Sequence, residues 1–101
     1  MRLHDLAHAR SGDKGDICNI SVVAWDIAEF PLLERELTAE RVQQHFGTIV
    51  AGPVHRYVLA HLGALNFVLH HALGGGVNRS LSLDAHGKCL ASLLLDIELP
   101  D

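Results

Sequence analysis

Early in the chain the run His8-Ala9-Arg10-Ser11-Gly12-Asp13-Lys14-Gly15-Asp16-Ile17-Cys18-Asn19 crowds two glycines, two aspartates, a lysine and an arginine between two stretches that alternate or run apolar. Residues 3–9 place Leu3, Asp5, Ala7 and Ala9 on one side and His4, Leu6 and His8 on the other, a period of two that predicts a strand. Residues 17–25 are rich in β-branched and apolar side chains and predict a second strand. Gly and Asp tolerate positive φ and bond their own backbone, so Ser11-Gly12-Asp13-Lys14-Gly15 is read as the turn between them. A chain that begins this way is committed to an antiparallel pair.

The signals then become helical over residues 29–46. Pro31 suits a first helical turn, where its missing N–H costs nothing. Thr38 is a good N-cap, Glu40 sits in the positive first turn, Leu37 can staple against Val42, and Gly47 is placed to end the helix. Two short helices meeting near Thr38 and one kinked helix fit equally well. His55-Arg56-Tyr57-Val58-Leu59-Ala60 predicts a third strand.

A second helix is expected from Gly63 or Ala64 to Leu73, because Leu65, Val68, Leu69, Ala72 and Leu73 recur at helical spacing before Gly74-Gly75-Gly76 stops it. The last third reads as a hairpin: Ser80-Leu81-Ser82-Leu83, a turn at Asp84-Ala85-His86-Gly87, and a return with Leu93, Leu95, Ile97 and Leu99 opposite Asp96 and Glu98. A helix from Lys88 to Leu95 is the rival. The order ββαβαββ, with strands joined by short turns, predicts an α+β two-layer sandwich: a mainly antiparallel sheet with two helical segments on one face. The other face then needs cover, which a second copy would supply.

Composition narrows the function. At 101 residues this is one domain, residues 1–101, and 49% hydrophobic content with mean hydropathy +0.20 is high for a small monomer, which points to an oligomer or partner interface. A net charge of −4 without a Lys/Arg cluster argues against nucleic-acid binding. No apolar run approaches the roughly 20 residues that span a bilayer. Met1-Arg2-Leu3-His4-Asp5 carries His and Asp where a signal peptide is apolar, so a cytoplasmic protein is expected. Cys18 and Cys89 are too few and too far apart for a disulfide framework or zinc knuckle and are read as buried thiols.

For chemistry, the loop bounded by Arg10 and Asp16 offers backbone N–H groups beside two cations, a combination that can cradle phosphate or carboxylate. Its spacing matches neither a Walker A loop nor a dinucleotide fingerprint, and no cofactor is expected. Asp13 and Asp16 would repel an anion unless they pair with Lys14 or Arg10; the competing reading is a salt-bridged hairpin turn. No metal site is expected: His4 and His8 would lie about 13 Å apart on a strand, and His70 and His71, adjacent on a helix, diverge. Ser11 or Cys18 could act as nucleophile only if His8 or His86 came within reach. Asn66 is read as capping the backbone entering its helix, or as reaching toward the Gly-rich loop.

Taken in order, Leu6-x-His8-x-Arg10-Ser11-Gly12-Asp13-Lys14-Gly15, Leu37-Thr38-x-Glu40-x-Val42, Gly63-Ala64-Leu65-Asn66-Phe67-Val68-Leu69, Gly74-Gly75-Gly76-Val77, Arg79-Ser80-Leu81 and Asp84-x-x-Gly87-Lys88 resemble the C-terminal ferredoxin-like domain of the acyclic terpene utilisation protein AtuA family, over nearly the whole chain. The resemblance implies a role in breakdown of acyclic terpenoids and related acyl-CoA intermediates. Longer relatives carry the module after a large N-terminal domain, so a chain of this length is expected to form a homo-oligomer or to dock on a larger AtuA-type subunit. One departure is visible: Val58 follows Tyr57 where an acidic residue is expected. No catalytic residue carries over, and an accessory or oligomerisation module is the favoured reading. The alternative is an enzyme subunit that binds an anionic, CoA-type metabolite through Arg10, Ser11, Gly12, Asp13, Lys14, Gly15 and Asn66.

Overall fold

The computed structural model describes residues 1–14, 17–70 and 90–100. One helical turn, α1 (Leu3–Leu6), leads into β1 (Ala7–Lys14) and β2 (Ile17–Ala24); α2 (Phe30–Glu36) and α3 (Ala39–Phe46) follow, then β3 (Val54–Leu59), β4 (Ala64–Leu69) and α4 (Leu90–Leu94). The strands form one sheet in the order β1-β2-β4-β3, every neighbour antiparallel. Because β4 lies between β2 and β3, the β2–α2–α3–β3 connection spans a gap that the next strand fills, a split βαβ arrangement. The α+β, ferredoxin-like class expected from the sequence is therefore what the chain adopts.

The core lies on one face of the sheet. Cys18, Ile20 and Val22 of β2 register against Leu69, Phe67 and Leu65 of β4, and all six are buried. Phe30, Leu33 and Leu37 from α2 and its end, Val42 and Phe46 from α3, and Leu90 and Leu94 from α4 join them. α4 lies over β1 and β2, α3 over β3. The chain ends close together: Leu3 N–H donates to Ile97 O and Leu99 N–H to Met1 O, flanking a bridge between Arg2 and Glu98.

The middle of the chain follows its local signals closely. Two helices, not one kinked one, meet at Thr38, whose Oγ1 accepts from Arg41 N–H at 3.1 Å. Leu37 and Val42, the expected staple pair, are both fully buried. Gly47 ends α3 at φ 57°, where its missing Cβ removes the steric penalty.

Three expectations change. Residues 3–6 form a helical turn that buries Leu3 and Leu6, so the first strand starts at Ala7 and runs through Lys14. Ser11, Gly12, Asp13 and Lys14 are thus strand, not turn, because β2 supplies backbone partners in unbroken register down to Lys14–Ile17. The expected helix at 64–73 is strand β4 over its described part. Its run fits a helical and a two-residue period alike, and a central position that buries Leu65, Phe67 and Leu69 in one line selects the strand. Gly63, at φ 62° after a 3-10 turn at Ala60–Leu62, folds the chain back so that β4 pairs with β3. Finally, residues 90–94 are helical rather than a strand return, and among the described residues this segment pairs only at Glu98. Gly15, Asp16, the glycine run at 74–76, the predicted hairpin at 80–87, Lys88 and Cys89 lie outside the described residues.

Candidate functional site

A strand turns alternate side chains to opposite faces, so the register fixes what faces away from the core. The face opposite Cys18, Ile20 and Val22 is crossed by rows of four. His8, Val23, Ala64 and Leu59 form one; Arg10, Ser21, Asn66 and Tyr57 the next; Gly12, Asn19, Val68 and His55 the third. Lys14 beside Ile17 ends it. No described helix covers this face, and Arg10, Lys14, Asn19, Ser21 and Tyr57 are exposed.

Sequence-predicted site residues divide by this alternation. Arg10, Gly12 and Lys14 share the open face with Asn66. Ser11 and Asp13 alternate toward the helical layer, Asp13 in register with buried Cys18. Asn66 caps no helix: it stands in mid-β4, where its Oδ1 accepts from Ser21 Oγ at 3.2 Å. Gly15 and His86 are not among the described residues, and Cys18 and Ser11 stand on the core side of the sheet while His8 stands on the open face. His4 sits in the helical turn, with Nδ1 3.4 Å from Asp5 Oδ1. His8 stands on the open face with its ring 4.7 Å from that of Trp25, whose Nε1 donates to His4 O at 3.1 Å.

Over β1 and β2 lies an open cavity of about 530 Å³, lined by Arg10, Ser11, Gly12, Asn19 and Ser21. A Cβ built on Gly12 would meet nothing within 4 Å, so the bare backbone forms a floor between Arg10 and Lys14. Asn19 and Ser21 are site residues that reading the sequence missed. Their signal was present: with Cys18, Ile20 and Val22 turned inward, the polar positions between them must turn outward. The lining is rich in donors and can hold an acceptor group by hydrogen bonds and charge; it contains no nucleophile–base pair.

Charge is unevenly spread around this face. None of its strand positions is Asp or Glu, although the chain has 12 acidic residues against 8 Lys and Arg. Glu34, Glu36 and Glu40 lie on the helical layer, and Asp5 and Glu98 at the joined chain ends. The other described guanidinium groups are engaged: Arg2 by Glu98, Arg35 and Arg41 by Glu36, and Arg56 by the carbonyls of Glu34 and Leu37. Arg10 and Lys14 have no partner among the described residues.

Compared with known proteins, residues 1–100 match the family model described as AtuA ferredoxin-like domain. No curated protein and no solved structure matches the chain. No helix among the described residues is long and apolar enough to cross a membrane.

Proposed function

Because the chain belongs to the AtuA ferredoxin-like domain family, we propose that it is a small cytoplasmic accessory module in the breakdown of acyclic terpenoids and their acyl-CoA intermediates, one that catalyses no step alone and works by associating with a second copy of itself. The observation that carries this reading is the outer edge of β3. Tyr57, Val58 and Leu59 are 55%, 41% and 38% exposed although they point to alternate faces, so among the described residues the strand is apolar on both sides as well as open along its edge. Natural edges are usually guarded by Lys, Pro, a bulge or charge pointing inward. β3 has none of these over residues 57–59, and its one cation, Arg56, is turned into the fold.

A second copy is favoured over other partners by symmetry and charge. In a two-fold antiparallel pairing each residue near the axis meets itself or a near neighbour, so any fixed charge there would face its own kind. Residues 57–59 carry no charge. Pairing at β3 also leaves the open face free. A larger AtuA-type chain docking on the same edge is the competing partner. Light scattering on the purified chain distinguishes them: a dimer is expected for the wild type and at least a tenfold weaker dimer for Val58→Lys, the guard that edge strands use. A wild type that stays monomeric at all concentrations refutes self-pairing.

The cavity beside Arg10 supports a second reading, in which the module binds an anionic, CoA-type metabolite. Arg10 and Lys14, which have no partner among the described residues, with Asn19 and Ser21 beside them, favour it.

A further inference from the structure

We propose that the strip of β1 from Arg10 to Lys14 seats an oxyanion group, a phosphate or a carboxylate, directly over Gly12. The proposal rests on the second reading above and gives it a location and a ligand chemistry. Three features converge on Gly12. The residue has no side chain, and nothing lies within 4 Å of where one would begin. Arg10 and Lys14 stand two positions to either side on the same face, so both can lean over it. Its cross-strand neighbour is Asn19, whose amide adds a donor at the inner wall, beside Ser21, the neighbour of Arg10, whose own hydroxyl proton goes to Asn66 Oδ1. Charge-assisted bonds from a guanidinium and an ammonium are the strong kind, and guanidinium matches the planar fork of a carboxylate or two phosphate oxygens.

The sequence raised an objection to an anion here on Asp13 and Asp16; Asp16 lies outside the described residues, and the reply concerns Asp13, which sits between Gly12 and Lys14. Alternation answers it. Asp13 belongs to the opposite face, level with Cys18, while the strand positions of the open face hold no carboxylate. In a chain with net charge −4, a face whose described strand positions carry cations, neutral polar groups and apolar residues but no carboxylate is a place where an anion meets little repulsion. Ligands made only of acceptors fit it; a cation or a purely apolar molecule does not.

The test uses pyrophosphate and citrate as probes at low salt, followed by calorimetry and by the fluorescence of Trp25, the sole tryptophan, which stacks on His8 one row from Arg10. Saturable binding of one or both probes is expected in the millimolar range or tighter, at about 4 kcal/mol or more. Arg10→Gln and Lys14→Gln should each weaken it about five- to tenfold, and Gly12→Val should abolish it by filling the floor, with the melting temperature retained. Which probe binds better tells phosphate from carboxylate. Wild-type protein that gives no saturable response to either probe at about 10 mM overturns the proposal. So does binding unchanged in all three variants. Coenzyme A separates the two claims: if it binds the wild type and the variants alike, the metabolite reading stands and the seat over Gly12 is wrong. If pyrophosphate binds in the way described and coenzyme A does not, the seat stands and the metabolite reading fails.

Discussion

Among the described residues β1 and β3 are the two edges of one sheet, and the chain treats them in opposite ways. β1 is eight residues long and half of them are exposed, with Arg10, Asp13 and Lys14 spread along both its faces. Charges of that kind make an edge a poor template for another strand. β3 is six residues long; it spends its one cation on the fold and leaves Tyr57, Val58 and Leu59 to solvent. The lesson is that the same residue type does different work according to where alternation sends it. Arg56, inward, is structural. Arg10, outward, has nothing in the described fold to hold and is available to a ligand.

The largest effect should come from breaking the inward cation. Arg56 Nη1 donates to Glu34 O at 2.6 Å and to Leu37 O at 3.0 Å, satisfying carbonyls at the end of α2 that have no intrahelical partner. Arg56→Leu removes both donors at a half-buried site and should cost about 2–3 kcal/mol, within the range of hydrogen bonds to charged groups. Urea unfolding measures it. A loss under about 0.5 kcal/mol, the range of ordinary surface changes, would mean that Arg56 is no more structural than Arg10 and would remove the contrast.

Next in size is the turn that delivers β4 to β3. Gly63 holds φ 62°, and a Cβ there would sit 3.3 Å from Ile27 Cγ1. Gly63→Ala should therefore destabilise by about 1–2 kcal/mol from the left-handed conformation alone. Because the strain falls where β3 turns into β4, the loss should appear in hydrogen exchange at Tyr57–Asn66 before it appears at Arg10–Ser21, two pairs in the same row of the sheet. Equal loss of protection at both would show the two edges to be one cooperative unit.

How much of this could be read from the residues follows the same division. Where a segment is half buried and carries its own punctuation, the sequence was explicit: β2 by its apolar run, the helix pair by Thr38 and Gly47, β3 by its β-branched and aromatic content. β1 was misplaced because an exposed edge has no apolar pattern to declare it. Its glycine and aspartate look like a turn until a neighbouring strand supplies their hydrogen bonds. β4 reads as a helix in the sequence because a central strand with apolar residues on both faces satisfies both periods, and only its place between two partners decides. The site shared this fate. Arg10, Gly12, Lys14 and Asn66 were picked out by type, but that they share a face, and that Asp13 does not, depends on a register that no single segment encodes.

The smallest expected effect is the sharpest test of the comparison. If Arg10 and Lys14 serve a ligand rather than the fold, Arg10→Gln and Lys14→Gln should each leave stability within about 0.5 kcal/mol of the wild type, as surface changes away from any structural partner do. Loss of either cation could even stabilise slightly, since the two repel each other across an empty floor, an effect that salt would screen. Adding pyrophosphate should then raise the wild-type melting temperature by mass action and raise that of the double variant less, because only ligand bound to the folded chain shifts the equilibrium. Equal shifts in both proteins would show that the anion acts on the chain generally and not at β1. A destabilisation by Arg10→Gln as large as that of Arg56→Leu would make Arg10 structural as well, and the difference between the two edges would lie in their apolar content alone.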